Sequence, residues 1–160
     1  MSHSVTITRT TTSTTNTSYI VLNTGYLKTF PGLLKLFELI IGVAIVTIMA
    51  INFDERYFAT SYRPQDLFHY LMATTFMIGT FCLFLACLTS LSTGGLIAKT
   101  IYELIYHSVA AILLVVSSAL LLIKLRREHD SYMAAGILGL VNAVLYFISA
   151  FLAHRSYRGI

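Results

Sequence analysis

Apolar positions in this chain gather into four long runs, at about residues 33–53, 67–91, 101–123 and 132–153, separated by short polar links. A helix rises about 1.5 Å per residue, so about 20 apolar residues match the hydrocarbon thickness of a bilayer, and each run reaches that length with few charges inside. The pattern predicts four transmembrane helices. The links, at about 54–66, 92–100 and 124–131, are short enough to force neighbouring helices to run antiparallel. The expected fold is therefore an all-α membrane protein, an antiparallel four-transmembrane-helix bundle with short loops. An even number of crossings also places both termini on one side.

Composition narrows this further. Hydrophobic residues make up 56% of the chain and charged residues only 11%, which leaves little material for a soluble domain beside the spans. Residues 1–18 are dominated by Thr and Ser, with the run TTTSTTNTS, and have no apolar core. We read them as a disordered tail and not a signal peptide, so the first span itself directs insertion. Residues 19–155 form the membrane domain, and 156–160 a short C-terminal tail.

The net charge of +4 is spread through the flanks of the spans, with no basic run of the kind that binds nucleic acid. Orientation is not set by charge bias. Lys28, Lys35, Lys99, Arg155 and Arg158 fall on the side of the termini, and Arg56, Arg63, Lys124, Arg126 and Arg127 on the other, which is a tie. Asn16-Thr17-Ser18 fits the N-glycosylation acceptor pattern, a short motif that would be used only on a lumenal tail.

Charged groups in hydrocarbon cost several kcal/mol, so those inside the spans are the places to look for function. Lys35, Glu38 and Glu103 qualify. Glu38 follows Pro31, a residue suited to a first helical turn, and so lies roughly 10 Å in, one turn before Gly42. Lys35 is placed to snorkel outwards and to pair with Glu38 at i,i+3. Glu103 and His107 share a face at i,i+4, a spacing compatible with a hydrogen bond between them. The first and third spans begin at the same leaflet, which puts Glu38, Glu103 and His107 at similar depth as one polar cluster. Such a cluster serves either as interhelical glue, worth about 1 kcal/mol per hydrogen bond, or as a proton- or headgroup-linked site. His69, with Phe68 and Tyr70, is expected at the membrane interface.

Small residues let helices approach in lipid, where packing replaces the hydrophobic effect as the driving force. Gly42, Gly79, Ala86, Gly136 and Gly139 are the expected helix-packing positions, with Cys82 on the stripe of Gly79 and Ala86. Cys82 and Cys87 stand at i,i+5 in one helix, too far around it to bridge, so no disulfide framework exists. Cys87 is near the end of its span and could carry a palmitate, though a buried apolar thiol is the simpler state. The histidines do not repeat at one-helix spacing, which argues against a membrane haem, and there is no phosphate loop, metal-ligand pair or nucleophile beside a base. We expect no cofactor, no metal and no enzymatic activity.

The lead-in to the first span, YLKTFPGLLKLFELIIG over residues 26–42, resembles that of the MARVEL family, which includes the MAL, plasmolipin and chemokine-like-factor proteins. There an aromatic or apolar pair, a basic residue, a Pro-Gly and a Leu-rich run lead to an intramembrane Glu followed by Gly, the places held by Glu38 and Gly42. The third and fourth spans are similar to those of MAL-like members, and the resemblance covers about residues 19–155. It implies cytoplasmic termini, a multi-pass protein of the plasma membrane or trafficking vesicles, and roles in membrane apposition, vesicle trafficking, cholesterol- or sphingolipid-rich domains or cell fusion. Independently of that resemblance, residues 19–30 carry apolar and aromatic positions consistent with an interfacial segment.

The function expected is a non-enzymatic membrane organiser whose partners are membrane lipids, other membrane proteins met laterally, or a second copy of itself. The alternative is a small channel or transporter subunit using the Glu38, Glu103 and His107 cluster. Beyond that cluster, the sequence offers little lining except Thr47, Ser117 and Ser118.

Overall fold

The structure, a computed structural model, describes residues 23–57, 63–89, 97, 100–124 and 130–159. The N-terminal tail, its Asn16 sequon and Tyr19 to Leu22 of the interfacial segment lie outside these. A short 3-10 helix, Thr24–Lys28, precedes four long α-helices: α1 Phe30–Tyr57, α2 Pro64–Leu88, α3 Ile101–Lys124 and α4 Asp130–Tyr157. All four are long and apolar enough to cross a membrane. They form a closed ring: α1 packs on α2 and α4, and α3 packs on α2 and, most extensively, on α4.

The helix ends depart from the apolar limits of the runs. α1 continues through Asp54 to Tyr57, α2 begins at Pro64 and stops at Leu88, and α4 extends to Tyr157. Backbone hydrogen bonding does not end where hydrocarbon ends, whereas caps and prolines do set boundaries. Pro64 occupies the first turn of α2, with Asp66 at its electropositive end, and His154 and Arg155 lie in the last turn of α4.

The start of α1 is built locally. The Gly32 N–H donates to Thr29 Oγ1 at 3.2 Å, an N-cap bond, and the Thr29 hydroxyl donates to the Tyr26 carbonyl at 2.7 Å. Only glycine fits after Pro31, since a Cβ on Gly32 would stand 2.1 Å from the Tyr26 carbonyl oxygen. The Asn23 N–H donates to the Leu88 carbonyl at 2.7 Å, satisfying a backbone acceptor at the end of α2. The lead-in thus folds back on the bundle, with the Tyr26 ring 6.5 Å from that of Phe84.

Two apolar clusters fill the centre. Ile45, Met49, Ala73, Leu121, Tyr132 and Ala135 pack in the half remote from the termini. Phe76, Ala110, Ala111, Leu114, Ala143 and Tyr146 pack nearer the middle. The outward faces are equally apolar, with Ile40, Ile78, Ile112, Val144 and Phe147 all exposed. A bundle in lipid needs no polar face, so hydropathy does not distinguish inside from outside.

Candidate functional site

Lys35, Glu38 and Glu103, the charged side chains singled out within the spans, are turned into the bundle. Lys35 is 2% exposed and its Nζ pairs with Glu103 Oε1 on α3. This corrects the expected outward snorkelling and the pairing with Glu38. Glu103 faces α1 at the same depth and would otherwise be a buried, uncompensated charge, so the cross-helix ion pair neutralises both.

Glu38, fully enclosed, is directed to α4 and α3. Its Oε1 accepts from the Ser149 hydroxyl at 2.5 Å, and its Oε2 faces His107 Nε2 at 3.8 Å. His107 Nδ1 donates to the backbone carbonyl of Glu103 at 2.7 Å. The i,i+4 spacing of Glu103 and His107 therefore yields a bond to the main chain and not to the carboxylate, which is engaged by Lys35. Glu38, Glu103 and His107 lie together through these contacts, with Lys35 and Ser149 completing the group.

One level deeper, Thr80 Oγ1 is 2.6 Å from the Tyr146 hydroxyl and 2.9 Å from that of Tyr106. Both tyrosines donate to the Phe76 carbonyl, at 3.2 and 2.9 Å. Towards the far side, His69 is fully buried instead of lying at the interface, and its Nδ1 is 3.1 Å from Ser117 Oγ. It fits because α4 presents Gly139 there: a Cβ on that glycine would stand 2.6 Å from His69 Cε1 and 2.2 Å from Ser118 Oγ. Thr47 faces outward and bonds the Val43 carbonyl of its own helix.

Gly42 abuts Met77, Gly79 lies beneath the Tyr106 ring, and Gly136 meets Leu122. Ala86 is half-buried, and Cys82, placed by its spacing on the same stripe, is exposed. Cys87 is 2% exposed, tucked beside Tyr26, whose phenol is pushed well above its ordinary pKa by burial and stays uncharged. Among the described residues no group of acidic, His or Cys side chains could hold a metal ion.

Thr80, Tyr146 and Ser149 were not singled out by sequence reasoning. The available signal was their position: each is a hydrogen-bonding residue inside an apolar run, where it needs a partner from another helix.

The family model of the MARVEL domain, described as a membrane-associating domain, matches residues 26–152. This chain is a member of the MARVEL family. The match runs from the capped lead-in to α1 into the last turns of α4, so it contains the Lys35, Glu38, Glu103, His107 and Ser149 group. Membership makes the chain a membrane-associated multi-pass protein. No curated protein and no solved structure matches it significantly.

Proposed function

We propose that this MARVEL protein is a non-enzymatic tetraspan organiser, which acts through its lipid-facing surface in membrane apposition, vesicle trafficking or the organisation of lipid domains. The observation that carries this reading is the division of the side chains. Lys35, Glu38, Glu103 and Ser149 are turned inward and joined across helices, while Ile40, Ile78, Ile112, Val144 and Phe147 point out from all four helices of the ring. The links are too short to form a receptor domain, so the outward faces are the main surface available to partners. These would be membrane lipids, cholesterol or sphingolipid among them, other membrane proteins, or further copies of the chain. Both termini would be cytoplasmic, at the plasma membrane or on vesicles.

The channel alternative needs a continuous polar lining. Between the Glu38 level and the His69 level stands the apolar cluster of Phe76, Ala110, Leu114 and Ala143, which supports a closed core. Photo-cross-linking from Ile40, Val144 and Phe147 in native membranes, read by mass spectrometry, tests the organiser reading. Adducts to lipid and to specific membrane proteins are expected. Proteoliposome ion flux that disappears in Glu103→Gln would instead establish the channel.

A further inference from the structure

The hydrogen-bond pattern around His107 fixes where its hydrogens sit. A backbone carbonyl can only accept, so the 2.7 Å contact with the Glu103 carbonyl requires a hydrogen on His107 Nδ1. In a neutral ring, Nε2 is then a bare lone pair. It faces Glu38 Oε2 at 3.8 Å, both side chains are fully buried, and neither atom has a hydrogen-bond partner within the structure. A carboxylate oxygen is also an acceptor, so ionised Glu38 beside a neutral ring would set two lone pairs against one another in a water-poor core.

We propose that Glu38 and His107 hold one proton between them, on Oε2 or on Nε2, and so form a proton-binding site enclosed in the bundle. The surrounding groups leave this task to the pair. On α1, the Lys35 ammonium is directed to Glu103 of α3. On α4, the Ser149 hydroxyl serves Glu38 Oε1, and the Tyr146 phenol bonds Thr80 of α2 and the Phe76 carbonyl. Tyr106 of α3 bonds the same Thr80 and carbonyl, and Tyr26 of the lead-in and Cys87 of α2 lie beside each other. Lys35 and Glu103 cancel. With one shared proton the whole cluster is neutral; without it a net negative charge is buried, and with a second proton a net positive one.

The full chain, reconstituted in phosphatidylcholine vesicles at neutral pH, allows a direct test by isotope-edited infrared spectroscopy of Glu and nitrogen NMR of His107. A protonated Glu38 carboxyl beside a singly protonated ring, or a carboxylate beside an imidazolium, supports the site. A carboxylate beside a ring protonated only at Nδ1, or a protonated carboxyl beside an imidazolium, overturns it. A second arm needs no spectroscopy: Glu38→Gln offers Ser149 an acceptor and Nε2 a donor, as the proton-bearing pair does. It should keep the wild-type unfolding midpoint that Glu38→Ala loses, and a Gln variant as weakened as the Ala variant counts against the site.

Discussion

The Ser149 hydroxyl donates to Glu38 Oε1 across 2.5 Å, joining the last helix of the bundle to the first. Nothing in the spacing of either helix brings these residues together; ring closure does. In hydrocarbon, a hydrogen bond between helices is worth about 1 kcal/mol, and an acceptor left unpaired costs somewhat more. Ser149→Ala should therefore lower stability by about 1–2 kcal/mol and Glu38→Ala by more. Val43→Ala, on the lipid-facing side of α1, should change it by less than about 0.5 kcal/mol. Detergent-induced unfolding of the reconstituted protein gives the comparison, and equal shifts in all three variants would remove the case for interhelical glue.

The Lys35–Glu103 ion pair joins α1 to α3 with both side chains nearly inaccessible. Removing one partner strands the other, at a cost of about 3–5 kcal/mol, whereas replacing both with apolar residues removes the charge and the need for it. Lys35→Met is thus expected to reduce surface delivery and the thermal midpoint sharply, and Lys35→Met/Glu103→Leu to restore most of both. A double variant no better than the single one would mean that the pair contributes more than mutual neutralisation.

Gly139 and Gly42 are both packing glycines with different tolerances. A Cβ on Gly139 would overlap Ser118 and His69, at 2.2 and 2.6 Å, whereas one on Gly42 would meet Met77 Cβ at 3.3 Å. Gly139→Ala should lower stability by about 1–3 kcal/mol through overpacking. Gly42→Ala, where a shift of a few tenths of an ångström between α1 and α2 relieves the contact, should cost less than half as much, and the same unfolding assay ranks them.

The two cysteines differ in access, with Cys82 exposed on the lipid side of α2 and Cys87 buried under Tyr26. A lipid-soluble thiol probe should label Cys82 in intact membranes and spare Cys87 until the bundle is unfolded. Gly32→Ala, which forces the Tyr26 carbonyl away, should raise Cys87 labelling without changing that of Cys82. Labelling of Cys87 in the wild type at the rate of Cys82 would contradict the docked lead-in.

How much of this was legible in the chain follows from which forces act locally. Length and hydropathy depend only on consecutive residues, and they give the four helices, their antiparallel order and the shared side of the termini. The start of the first helix was readable for the same reason, since Pro31 suits a first turn whatever lies elsewhere in the fold, and Glu38, Glu103 and His107 stood out as costly groups in oil. The orientation of the side chains was not legible. In lipid both faces of a helix are apolar, so sequence periodicity leaves open whether Lys35 snorkels or pairs, whether His69 sits at the interface or in the core, and where Cys82 points. Those choices were made only when four helices closed into a ring, because a buried polar group must take its partner from another helix, and only the tertiary arrangement says which partner lies at its depth.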